Sequence, residues 1–89
     1  MTIVIKNNGT KQHYDARKVY GSVYAALFAG GMADERCAKI AAHISSIVSK
    51  WVKVRNKITS LSIARQVAAE LRKWNKDAAF LYATHRDIG

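Results

Sequence analysis

The chain opens on a β-branched apolar run, Ile3, Val4 and Ile5 with Lys6, and turns polar at Asn7, Asn8 and Gly9. β-Branched side chains suit a strand, and asparagine and glycine tolerate the positive φ of a tight hairpin turn. Thr10 to Tyr14, polar apart from Tyr14, is the expected return strand of a short ribbon open to water on one face. Asp15 stands where an N-cap belongs, ahead of Val19, Val23, Ala26 and Leu27 on one helical face, and Gly30 and Gly31 should end this first helix. Asp34 is the expected cap of a longer second helix, in which Cys37, Ile40, Ile44, Ile47 or Val48, and Trp51 recur at intervals of three and four. That stripe is the expected spine of the core. Thr59 or Ser60 should cap a third helix with Ile63, Val67 and Leu71, running out near Trp74 and Asn75, before a short fourth helix from Asp77 to His85. The fold class that follows is α+β: a short two-stranded N-terminal hairpin, marginal alone, packed on a bundle of about four helices. Trp51, Trp74 and Cys37 continue apolar stripes and are expected in the core or at an interface.

Composition narrows the class. With 89 residues, no proline and no Gly-rich or low-complexity stretch, the chain reads as one domain over residues 1–89. Its apolar runs are too short for a membrane span, and the N-terminal one has no basic segment before it, as an export signal would. A lone cysteine, Cys37, cannot form an internal disulfide or a zinc ribbon, so a reducing cytoplasm is the expected location. The six carboxylates show no paired spacing for acid–base work or a metal cage, the three histidines form no ligand set, and no Walker-type loop is present. Binding without chemistry is the expectation, with no catalytic residue and no metal ligand.

Fifteen Lys and Arg against six Asp and Glu leave a net charge of +9, which points to a phosphate-bearing partner and leaves free nucleotide and nucleic acid both open. A ribbon packed on the first helix would bring Lys6, Lys11, Arg17 and Lys18 together. Lys18, in that helix's first turn, opposes the helix dipole, and a bound anion would reconcile the two. Lys50, Lys53, Arg55 and Lys57 form a second cluster with no acid among them, near a helix C-terminus that favours cations. One nucleotide does not need them all. They carry the alternative reading, a small basic nucleic-acid-binding protein in which this cluster, with Arg65, Arg72 and Lys73, tracks phosphates.

The segment Val4-Ile5-Lys6-Asn7-Asn8-Gly9, followed by Tyr14-Asp15-Ala16-Arg17-Lys18-Val19, resembles the opening motif of the ATP-cone. The family's usual form is Val-x-Lys-Arg-Asp/Asn-Gly, then Phe-Asp/Asn-x-x-Lys-Ile, an Ile-Thr/Ser-Thr/Ser element opening a later helix, and a closing Tyr-x-x-Tyr-Arg type segment. Ile58-Thr59-Ser60 with Ile63, and Leu81-Tyr82-Ala83-Thr84-His85-Arg86, follow in the same order, so the resemblance covers essentially the whole chain. It implies a noncatalytic regulatory module that binds ATP or dATP, best known at the N-terminus of ribonucleotide reductase large subunits, where the occupant sets activity through oligomeric state. The family also follows a zinc ribbon in the repressor of reductase genes. Carried over by motif position, Lys6 and Lys18 contact phosphate, Val4 and Val19 flank the base, Gln12 and Asp15 lie near base and ribose, and Ser60 supplies a hydroxyl. Magnesium would come with the nucleotide, and the implied partners are a reductase or a second copy of the chain. Two positions depart from the pattern: Asn7 replaces the usual arginine, and Ala64 a frequent polar residue. Asparagine cannot reproduce a bidentate phosphate clamp. Lys11 or Arg17 stands near enough in sequence to take its place.

Overall fold

A computed structural model describes residues 1–84. The elements are β1 (Ile3–Ile5), β2 (Lys11–His13), α1 (Ala16–Ala29), α2 (Asp34–Lys53), β3 (Lys57–Thr59), α3 (Ser60–Arg72) and α4 (Lys76–Thr84). This is the α+β arrangement that the pattern predicts, with a small sheet at the N-terminus packed on four helices. The hairpin pairs β1 antiparallel with β2, placing Ile3 opposite His13, Val4 opposite Gln12 and Ile5 opposite Lys11. In the turn the Gly9 N–H donates to the Lys6 carbonyl and the Lys6 N–H to the Thr10 carbonyl, both at 2.9 Å. Gly9 takes φ of +85° while Asn7 and Asn8 stay at negative φ, so a β-turn followed by a left-handed glycine makes the connection.

The ribbon is not two-stranded, as the pattern predicts, but part of a three-stranded sheet ordered β2-β1-β3. β3 runs parallel to β1, with Val4 opposite Ile58 and Ile5 opposite Thr59. Three residues are too few for a readable alternation, and the demand for β3 comes from elsewhere. β1 has a second edge of backbone donors and acceptors, which must be paired where Val4 is buried. Thr2 fastens the start of that strand to the end of α2: its hydroxyl donates toward the carbonyls of Arg55 at 2.7 Å and Val52 at 3.1 Å.

The caps refine the expected boundaries. Asp15 caps α1, its Oδ1 accepting the Arg17 N–H at 3.0 Å. Ala33, not Asp34, is the N-cap of α2 and makes no side-chain bond, so Asp34 and Glu35 act as first-turn acids that favour the positive helix end. Thr59 rather than Ser60 caps α3, with Oγ1 accepting the Ser62 N–H at 3.1 Å. α4 starts at Lys76, one residue before the expected Asp77, because Asn75 Oδ1 accepts the Ala78 N–H at 2.9 Å. Its expected end at His85 lies outside the described residues.

The core follows the predicted stripes: Val19, Val23 and Leu27 from α1 meet Cys37, Ile40, Ile44 and Val48 from α2 and Ile63, Val67 and Leu71 from α3. Val48, not Ile47, takes the inward position. Trp51 packs partly buried against this core, whereas Trp74, 46% exposed, leaves it because α3 ends at Arg72 and the indole falls in the link beyond the stripe. Two polar locks tie α2 to the start of α1 and to the residue before its cap. The hydroxyls of Tyr14 and Ser49 share a bond of 2.9 Å, and Ser45 Oγ donates to the Ala16 carbonyl at 3.1 Å.

Two outcomes are expected. Ile44→Ala empties a fully buried site in the middle of α2 and should lower unfolding free energy by about 2–5 kcal/mol in urea titration. Burial of Tyr82 on α4 pushes its phenol up to about 12, against a lowering hydrogen bond from Ser22. The folded state thus holds this proton to higher pH than the unfolded chain, in which tyrosine ionises near about 10. The stabilising contribution is therefore full below about pH 10 and is lost as pH rises through about 12. Tyr82→Phe should flatten that alkaline limb in a plot of melting temperature against pH.

Candidate functional site

Val4 sits at the centre of β1 with Gln12 opposite it on β2. Asp15 caps α1, Lys18 and Val19 lie in its first turns, Ser60 opens α3, and Ile63 follows one turn on. The sheet brings these segments together. With His13 and Tyr14 they line one narrow crevice, part of it open to solvent. Val4, Val19 and Ile63 make its walls apolar, and all three are buried.

The starts of α1 and α3 both border this crevice, and neither helix has an acidic residue in its first turn. α2 and α4, whose starts lie outside it, carry Asp34 and Glu35, and Asp77, at the same place. α3 thus has no acid to compensate the positive end of its dipole, and α1 has only its cap carboxylate, Asp15. α1 also carries cations there. Lys18 Nζ donates to Gln12 Oε1 at 3.3 Å across the opening. Arg17 turns back on Asp15, its Nε and Nη2 donating to the two carboxylate oxygens at 3.1 and 3.0 Å. These bonds, with the Arg17 N–H, hold the Asp15 carboxyl below the usual carboxylate range. Arg17 is therefore committed to Asp15, and Lys18 is the cation that remains on the crevice lining.

Of the positions that the resemblance implies, the crevice gathers Val4, Gln12, Asp15, Lys18, Val19 and Ser60. Lys6 is half-buried just past the end of β1 and Asn7 is exposed in the turn, so neither is on the lining. His13, Tyr14 and Ile63 join the lining without having been read as site residues. Tyr14 and Ile63 both stand in the motif segments that carry the resemblance, but Ile63 is read there as a core residue and Tyr14 as the end of a strand. Burial raises the Tyr14 phenol, whose hydroxyl is engaged by Ser49. Lys50, Lys53, Arg55 and Lys57 lie away from the crevice: two in the last turn of α2, one beyond it and one on β3. Arg55 stacks 4.1 Å above the Trp51 ring and donates to the Trp51 carbonyl, which closes the end of α2.

Among the described residues no group of three or more His, Cys, Asp or Glu could hold a metal ion, and no helix is long and apolar enough to cross a membrane. The crevice offers apolar walls, two helix N-termini and a lysine, a combination suited to a ligand with an apolar plane and an anionic tail.

The Asp15 clamp is open to a direct check. A depressed folded-state value means that the carboxylate's stabilising bonds are intact above its unfolded value near about 3.9 and are lost as pH falls through the folded one. Arg17→Gln should move the Asp15 titration up toward that ordinary value when followed by carboxyl-carbon NMR, and an unchanged midpoint would refute the clamp.

No curated protein matches the chain in sequence. The family model described as the ATP cone domain, in contrast, matches residues 2–88, nearly the whole chain. Together with the sheet, the four helices and the crevice at the starts of α1 and α3, that match means that the chain belongs to the ATP-cone family of nucleotide-sensing regulatory domains.

Proposed function

We propose that this domain binds an adenine nucleotide, ATP or dATP, in the crevice and passes its occupancy to a partner protein. The observation that carries the reading is the convergence of two helix N-termini, both without first-turn acids, on a crevice with apolar walls. The base packs between Val4 and Val19, and Gln12 meets its polar edge. Asp15 faces the ribose. Lys18, the start of α3 with Ser60, and Lys6 from the turn take the phosphates. Lys18 now bonds to Gln12, and a phosphate that draws the ammonium away frees that amide for the base. Magnesium arrives on the phosphates, without a protein ligand set among the described residues.

Asn7 stands where the family usually has arginine, and Arg17 is held by Asp15, so the phosphates depend on Lys6, Lys18 and the helix ends. Affinity should be correspondingly modest, since a bidentate guanidinium is the stronger clamp. The output surface is the outer face of α1, the helix that also supplies Lys18. Tyr20, Tyr24 and Phe28 form a ladder on it with ring centroids 6.2 and 6.0 Å apart, and Phe28 is 58% exposed. Exposed aromatic patches of this kind favour protein contact. Self-association or docking to a ribonucleotide reductase through this ladder would couple occupancy to activity, in the reducing cytoplasm that a buried free Cys37 suits.

Calorimetric titration with ATP and dATP, read beside the mass in solution, tests the reading. Nucleotide at about one hundred times Kd should add about 2.7 kcal/mol to unfolding free energy. Lys18→Ala and Lys6→Ala should abolish the gain while leaving the unliganded melting temperature near that of the parent. A flat response at millimolar nucleotide would overturn the proposal.

A further inference from the structure

The crevice leaves most of the positive charge unexplained, and a large part of it is ordered along α2. Arg36, Lys39, His43, Ser46, Lys50 and Lys53 succeed one another at alternating intervals of three and four along this helix. With 3.6 residues per turn and 1.5 Å per residue, they occupy an arc of about 100° and a length of about 26 Å. All six are exposed, on the side away from Cys37, Ile44, Val48 and Val52. Arg36, Lys39, Lys50 and Lys53 form no ion pair among the described residues, and Glu35, one turn before Lys39, does not pair with it. The helix dipole accounts for Lys50 and Lys53 near the C-terminus. It disfavours Arg36 in the first turn, and a solvated helix face normally mixes its signs.

One end of the row has an aromatic neighbour. Trp74, from the link between α3 and α4, lies edge-on to His43 with centroids 5.7 Å apart. Arg36, Lys39, Ile40, His43 and Trp74 line an open groove of about 410 Å³ that shares no residue with the crevice. A row of unpaired cations leading to a partly exposed indole is the arrangement by which proteins hold a single strand, backbone on the cations and a base on the ring.

We propose that this face of α2 binds single-stranded nucleic acid, independently of the nucleotide crevice. Phosphates follow Arg36, Lys39, Lys50 and Lys53, and one base enters the groove against Trp74. A duplex keeps its bases stacked and away from the indole. An acidic peptide would satisfy the cations and leave Trp74 unused, and a membrane helix would need the apolar face that α2 buries in the core.

Fluorescence anisotropy with labelled oligo(dT) tests the assignment. Four released counterions give a log-log salt slope near about −3 for a single strand, and Lys50→Gln with Lys53→Gln should reduce its magnitude by about 1.4. Trp74→Ala should weaken binding by about ten-fold, with Trp74→Phe keeping most of the affinity. Arg65→Gln with Arg72→Gln removes the same charge from α3 and should leave the slope unchanged, with circular dichroism melts confirming that each variant is folded. The proposal is overturned by no binding at low salt, or by an equal effect of the α3 pair, which would make the binding a matter of net charge alone. Preference for a duplex, for polyglutamate or for phosphatidylserine vesicles over oligo(dT) would overturn it too.

Discussion

The molecule depends on β1 having a partner on each side. A strand of three residues has little cohesion, and a lone hairpin is marginal in water. Pairing with β2 on one edge and β3 on the other satisfies the backbone of β1 and lets Val4 and Ile58 be buried, each worth about 1.5–3 kcal/mol if fully removed from water. The Thr2 hydroxyl, held at the end of α2, and the Ile3 N–H, donating to the Asn56 carbonyl at 2.9 Å, fix where that central strand begins. The same pairing sets Gln12 and the start of α3 on opposite sides of Val4. Without β3 the chain would keep its helices and lose the crevice.

Charge is distributed with a consistency that stability alone does not require. α2 and α4 open with acids at their positive ends, and α2 finishes with Lys50 and Lys53 at its negative end. α3 opens without an acid and α1 with only its cap, Asp15, and their starts are the ones that border the crevice. Compensating a helix end is worth about 0.3–1 kcal/mol, so its omission at the start of α3 costs little and leaves that end's positive potential facing the crevice. At α1 the Asp15 carboxylate caps the helix and pairs with Arg17, which returns a positive charge beside it. The positive row on α2 is a separate field on another face. The two proposals together give one small basic domain two phosphate sites, a crevice with apolar walls and an open track beside Trp74.

Much of this was legible in the order of residues. Asp15, Gly30 and the spacing from Val19 to Leu27 specify α1 almost completely, because caps and a 3.6-residue period are local properties. The motif positions Val4, Gln12, Asp15, Lys18, Val19 and Ser60 were readable as a set and do line one crevice. Other features were hidden for physical reasons. β3 has three residues and no alternation to read. Asn75 looks like the tail of α3 and is the side chain that starts α4. Trp74 keeps the spacing of a buried stripe and emerges half-exposed, because the helix that would have turned it inward has already ended.

By itself, then, the sequence determined the helices, the Asp15 cap, the hairpin turn and the sign of the field, since each rests on interactions among neighbours within a turn or two. Only the tertiary structure decided that β1 is a central strand, that Arg17 belongs to Asp15, and that Ile63 closes a wall of the crevice beside Val4. It also decided which cations stand together. Arg55, read in sequence with Lys50 and Lys53, folds onto Trp51, while Arg36 and Lys39, far from them in the chain, share their face of α2. Charge is additive along a sequence, but a binding surface depends on which side of each helix the core has claimed.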